Sequence, residues 1–137
     1  MKLKSAQDYA AGLKPTAVMV VQDGKVIASW GDISRKVNVA SIRKSLLSAL
    51  YGIAVSEGRI DLSSTLADHD IDDKPLALMA AEKEATVRDL LMARSGAYHP
   101  AAYETGDMQR NRPAWGSHAP GTFWFYNNWN FSARDGK

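Results

Sequence analysis

The sequence predicts a mixed chain in which a short antiparallel sheet precedes a helical region. Three observations carry this. Two β-rich apolar runs, Ala17-Val18-Met19-Val20-Val21 and Val26-Ile27-Ala28-Ser29-Trp30, flank Gln22-Asp23-Gly24-Lys25. An Asp-Gly pair between such runs is a strong hairpin signal. From Ser41 the apolar period lengthens, and Ile42, Leu46, Leu47, Leu50, Ile53 and Ala54 fall on one helical face. Thr86, three residues ahead of Asp89, is close to a capping box at the head of another helix.

Taken in order, residues 5–13 read as a short helix ended by Gly12 and broken by Lys14-Pro15. The hairpin follows. A lone two-stranded hairpin is marginal in water, so it must join a larger sheet or lie on helices. The Ser41 helix closes at Glu57-Gly58, with Gly58 as its cap, and its apolar content predicts burial. Arg59-Ile60-Asp61-Leu62 leads into one helical turn at residues 63–66. Thr86 caps a helix running to Arg94, which Gly96 ends. Residues 97–122 hold three Gly and three Pro and read as loop. Phe123-Trp124-Phe125-Tyr126 comes next, and Asn127 or Asn128 caps a helix starting at Trp129. The expected division is residues 1–40, a helix and hairpin, and residues 41–137, a helical region. There is no internal repeat and no low-complexity segment.

The 137 residues fit one ordinary domain or a piece of a larger one. With 45% hydrophobic and 23% charged residues, the chain reads as globular. The net charge is only +2, and the basic pairs Lys2/Lys4, Arg35/Lys36, Arg43/Lys44 and Arg110/Arg112 are scattered among acids. No basic stripe of the kind nucleic acid needs is formed. Cysteine is absent, which excludes disulfides, thiolate metal sites and a Cys nucleophile. His69, His99 and His118 lack zinc-site spacing, and Asp68-His69-Asp70-Ile71-Asp72-Asp73 lacks the glycine and distal glutamate of a calcium loop. That acidic stretch reads as a solvated loop, and His118 as a surface or packing residue. With no phosphate-loop or dinucleotide fingerprint either, no cofactor or metal is expected. No apolar run nears the roughly 20 residues of a membrane span, and the N-terminus lacks a signal-peptide core. The compartment stays open: cytoplasm, or outside it if a leader was removed.

The chemistry centres on Ser41-Ile42-Arg43-Lys44. A Ser three residues before a Lys on a helix puts a hydroxyl and an amine one turn apart on the same face. The spacing is common, and Ser41 also suits an N-cap. Its place at the head of the most apolar helix gives it weight, since Lys44 would then face the core and need a partner. An alcohol becomes a good nucleophile once a base takes its proton, and Lys44 can do that or lower the pKa of a neighbouring phenol. Tyr126 offers a phenolic oxygen for proton transfer. Asn128 offers an amide to hold a substrate carbonyl or to orient Lys44. The aromatics Trp124, Phe125, Trp129 and Phe131 around them also suit core packing, and a base- or sugar-stacking platform would lack its basic groove.

In order and spacing, these segments together resemble the serine β-lactamase and penicillin-binding-protein-like hydrolases, above all the class C branch with its esterases, D-amino-acid peptidases and amide hydrolases. The resemblance runs from the hairpin Val18 to Trp30 through Val39-Ala40-Ser41-Ile42-Arg43-Lys44-Ser45, then Glu57-Gly58-Arg59-Ile60-Asp61-Leu62 and Thr86-Val87-Arg88-Asp89-Leu90-Leu91. It continues through Arg94-Ser95-Gly96 to Pro120-Gly121 and Tyr126-Asn127-Asn128. It implies an α+β fold of the β-lactamase/transpeptidase type, an antiparallel sheet with flanking helices plus a helical region. It implies Ser41 as acylated nucleophile, Lys44 and Tyr126 as the proton-transfer pair, and Asn128 as a substrate contact.

The family's third motif, Lys or His followed by a small residue and Gly on a late strand, has no counterpart in the sequence. The expectation is therefore the N-terminal portion of such a hydrolase, lacking C-terminal strands and a helix, with little turnover unless a complementary C-terminal segment is supplied, for instance by another chain. Arg43 is a bulkier charge than the pattern suggests at its position. The expected substrate is a small ester, amide or peptide, including a β-lactam, with no nucleic-acid or membrane partner. Two other classes fit the same residues: a non-catalytic ligand- or peptide-binding module on this scaffold, and a small helical interaction domain.

Overall fold

The computed structural model describes residues 2–131 and divides the chain into two compact units, Met1–Ala40 and Ser41–Lys137. In the first, α1 spans Lys2–Gly12 and the strands β1 (Ala17–Gln22) and β2 (Lys25–Gly31) pair antiparallel. Asp23 and Gly24 both have positive φ, 50° and 73°. That twist matches the twist of the strands, which is why Asp-Gly was legible as the turn. A bulge at Val20/Val21 shifts the register from Val20↔Ala28 to Val21↔Val26. The larger sheet expected around this hairpin is not formed among the described residues: the sheet has two strands, and Met19, Val21, Val26 and Ile27 remain exposed.

The second unit opens with a 3₁₀ turn, Ala40–Ile42, leading into α2 (Arg43–Ser56). Gly58, at φ 69°, closes the helix as expected. The predicted burial of α2 is not met among the described residues. Leu46, Leu50 and Ile53 are 69%, 60% and 50% exposed, and only Ala54 is buried. Nothing described covers that stripe.

The core of this unit lies elsewhere. Leu66, Leu78, Ala85, Leu90, Ala97 and Trp129 form one cluster, with Ile71 and Ala101 against it. Residues 63–66 are not the helical turn expected. Thr65 bridges Thr86 instead, with Leu66 N–H donating to Ala85 O at 2.9 Å and Val87 N–H to Ser64 O at 2.9 Å. The helix beginning after Thr86 is α4, Val87–Leu91, if α3 is given to Ala80–Lys83. Its capping box is complete: the Asp89 N–H donates to Thr86 Oγ1, and Asp89 Oδ2 accepts from both the N–H and the hydroxyl of Thr86. It stops short of Arg94 because Ala93 turns to φ 55°. The proline- and glycine-rich stretch contains an unforeseen α5, Gly106–Arg110, capped by Thr105. A second 3₁₀ turn, Trp129–Phe131, follows Asn128, and any continuation of the predicted last helix lies outside the described residues. Among the described residues no helix is long and apolar enough to cross a membrane.

The acidic stretch is not simply solvated. Asp72 accepts from the backbone N–H groups of Asp73 and Leu78 and pairs with Lys83 at 2.7 Å. Asp73 accepts from the Trp129 indole.

Candidate active site

Two pairs of residues far apart in sequence, Ser41 with Lys44 and Tyr126 with Asn128, meet in the second unit. Ser41 sits in the 3₁₀ turn, directly after Ala40, whose φ of 44° is unusual for a residue with a side chain. The N-cap position of α2 belongs to Ile42, which makes no side-chain cap, so the capping role open to Ser41 is not the one it takes. Its side chain is one of the groups that hold the Tyr126 phenol below the usual tyrosine range. Lys44 lies in the first turn of α2 and is half-buried. Its Nζ donates to Tyr126 Oη at 2.6 Å and to Asn128 Oδ1 at 2.8 Å. The same ammonium lies 4.3 Å from the ring centres of both Tyr126 and Phe131. Charge and π-face attract at that range, so the two rings help to hold the Lys44 side chain in place.

Tyr126 is the hub. Burial pushes its phenol up, but the hydrogen bonds from Lys44 and with Ser41, together with the charges of Lys44 and Arg43, outweigh burial and hold it below the usual tyrosine range. Arg43, which the sequence offered only as an oddity, thus adds to the field at the phenol. The result is a hydroxyl of ordinary reactivity beside a phenol primed to lose its proton.

Asn128 orients the lysine. Its Nδ2 donates to Ala102 O at 3.0 Å and Tyr103 O at 3.1 Å, which fixes the amide with Oδ1 toward Lys44. Both amide hydrogens are spent on the loop. Of the two roles the sequence left open for Asn128, the geometry displays the one toward Lys44. The loop carrying Ala102 and Tyr103 is braced by an ion pair between Glu104 and Arg112.

The segment behind the site is pinned residue by residue. Phe125 N–H donates to Ala93 O at 2.9 Å. Asn127 is buried, donates from Nδ2 to Ala97 O and accepts the Asn130 N–H, so it is the Asn that caps the final turn. Ser95 Oγ donates to Asn130 Oδ1 at 2.5 Å. Trp129 Nε1–H donates to Asp73 Oδ2 at 2.8 Å. Sequence reasoning named Trp129 and Phe131 only as aromatic neighbours and did not foresee Asp73, Ser95, Asn130 or His99. The one available signal was Arg94-Ser95-Gly96.

The remaining histidines pack. His118 stacks on Phe123 at 4.0 Å and contacts Tyr98 Oη at 3.2 Å. His69 is exposed and contacts Ser64 Oγ. A recess of about 230 Å³ borders Lys44, Leu91 and Phe131. A larger one of about 680 Å³, between Leu47, Tyr51, Ile60 and Leu90, includes neither Ser41 nor Tyr126. The smaller recess reaches Lys44, but Ser41 and Tyr126 line neither.

A family model described as Beta-lactamase matches residues 6–133. No curated protein and no solved structure matches the chain.

Proposed function

The chain belongs to the Beta-lactamase family, and on that premise we propose that it is a serine hydrolase that forms an acyl-enzyme on Ser41 with a small ester or amide, cyclic amides included. The observation that supports this most is the Lys44–Tyr126 hydrogen bond at 2.6 Å, on a phenol that Lys44 and Ser41 help hold below the usual tyrosine range. The order of proton transfers follows from it. Tyr126, as phenolate beside the Lys44 ammonium, takes the Ser41 proton as Oγ bonds to the substrate carbonyl carbon. The tetrahedral adduct collapses, the bond to the leaving alcohol or amine breaks, and the Tyr126 proton goes to that group. Water then attacks the ester on Ser41, giving its proton to Tyr126. The released Oγ recovers that proton, and the acid departs. Lys44 stays charged throughout, and Asn128 keeps it aimed.

The open apolar face of α2 supports a further part of the reading: a complementary polypeptide segment docks on that face and speeds turnover. Without such a segment the expected signal is slow acylation, not fast turnover.

Incubation with a fluorophosphonate and with a penicillin-type probe, followed by intact mass and peptide mapping, tests this. One adduct on Ser41, absent from Ser41→Ala, is expected. A wild-type chain that never labels, or a Ser41→Ala chain that still does, overturns it. Reversible binding of a penicillin without acylation would instead favour a ligand-binding module.

A further inference from the structure

A second polar cluster lies behind residues 126–131, and it is buried. His99 and Glu82 are each 2% exposed. His99 Nδ1 is 3.0 Å from Asp73 Oδ2, and Nε2 is 3.2 Å from Glu82 Oε2. Glu82 Oε2 already accepts the Met79 N–H at 2.8 Å. Asp73 Oδ2 already accepts the Trp129 indole N–H at 2.8 Å, and its other oxygen accepts the Lys74 N–H. Both oxygens facing the ring are thus acceptors toward other donors, and the ring bridges the two carboxylates at hydrogen-bond distance. Two aromatic rings enclose it, Trp115 edge-on at 4.6 Å and Trp129 tilted at 5.7 Å.

Asp73 is the movable member. Its side chain is 27% exposed, so without His99 it can turn Oδ2 toward water while keeping the adjacent Lys74 N–H on its other oxygen. The Trp129 ring is 4% exposed, and its N–H would then be buried with no acceptor, a costly state. Trp129 begins the 3₁₀ turn that ends at Phe131, the ring against Lys44, and it directly follows Asn128.

We propose that His99 is a positioning residue for the Ser41 site: donating from Nδ1, it locks Asp73 as the acceptor of Trp129, and Trp129 fixes the turn that sets Tyr126 and Phe131 around Lys44. This rests on the acyl-transfer reading above. His99 touches neither Ser41 nor Lys44 in this arrangement; it acts through Asp73.

Two variants that each keep one half of the imidazole separate positioning from packing. His99→Asn places an amide nitrogen near the Nδ1 position and keeps a donor for Asp73. His99→Gln reaches the Nε2 position, keeps a donor for Glu82 and leaves Asp73 without one. Trp129→Phe removes the indole N–H while keeping an aromatic ring. The readouts, on the full chain, are the rate of fluorophosphonate labelling at Ser41 and the titration of Tyr126 followed by ¹³C-labelled tyrosine. His99→Asn is expected within about threefold of wild type, with Tyr126 still titrating low. His99→Gln and Trp129→Phe are expected to lose about tenfold or more, the scale of a small misplacement of reacting groups, with Tyr126 titrating higher. Equal losses in both His99 variants would reduce His99 to packing, and no loss in either would show that the segment holds without it; both outcomes overturn the proposal. If wild type never labels on Ser41, the acyl-transfer reading falls, and the Tyr126 titration alone decides the positioning. If His99→Gln does not fold, Trp129→Phe carries the test.

Discussion

Residues 126–131 have a polar cluster on each side, and the two differ in how their protons are committed. On the buried side, His99 bridges Asp73 and Glu82, Ser95 donates to Asn130, and Asn127 to Ala97. Those donors lead to fixed acceptors, as a buried scaffold requires. On the open side, Lys44 donates to Tyr126 and Asn128, and Lys44 and Ser41 together hold the Tyr126 phenol down. The lesson is that the same segment is fixed where its donors meet buried acceptors, and that the proposed chemistry lies on its other, less buried side.

Breaking the reactive side should have the largest effects. Ser41→Ala should abolish labelling. Tyr126→Phe should keep the aromatic wall yet slow Ser41 labelling by about 10²–10⁴-fold, the usual scale for a lost general base. Lys44→Met removes both the hydrogen bond and the charge that hold the phenol down, so the Tyr126 titration, read by ¹³C-tyrosine NMR, should move up toward the ordinary range.

Breaking the settled side should appear first as stability. Leu66 is fully buried in the core cluster, so Leu66→Ala should cost about 2–5 kcal/mol by urea unfolding, through lost burial and a cavity. Thr86→Ala removes half of a complete capping box and should cost about 1 kcal/mol in the same assay. The smallest effect concerns acid. Asp72 is held down at about 2, from 3.8, first by its bond to Lys83 and then by the N–H groups of Leu78 and Asp73. A depressed carboxyl adds stability above its unfolded value and loses it as pH falls through the folded one. Unfolding midpoints should therefore decline between pH 3.8 and about 2, and less so in Asp72→Asn.

The two sides also differ in how far the sequence revealed them. Ser41, Lys44, Tyr126 and Asn128 were legible because chemistry demands particular residue types at short spacings, and the hairpin because Asp23-Gly24 tolerates positive φ. The α4 cap was legible for the same local reason. Asp73, His99 and Trp129 were not, since they meet across 26 and 56 residues and carry no spacing signature. Read alone, Asp73 was one acid in a charged run, and His99 a lone histidine. The α2 stripe misled in the opposite direction: its period is helical, but period does not say what covers it, and among the described residues Leu46 and Leu50 stay exposed. Helix α5 was hidden by the Gly and Pro around it, although Thr105 is a sound cap.

The most direct test of the Ser41–Tyr126–Lys44 relay is the rate of fluorophosphonate labelling at Ser41 as a function of pH, in wild type and in Tyr126→Phe. Because the phenol is held below the usual tyrosine range, the wild-type rate should climb with pH along a limb lying below that range. The limb should vanish in Tyr126→Phe. A flat wild-type profile, or the same limb in Tyr126→Phe, would contradict the assignment of Tyr126 as the base.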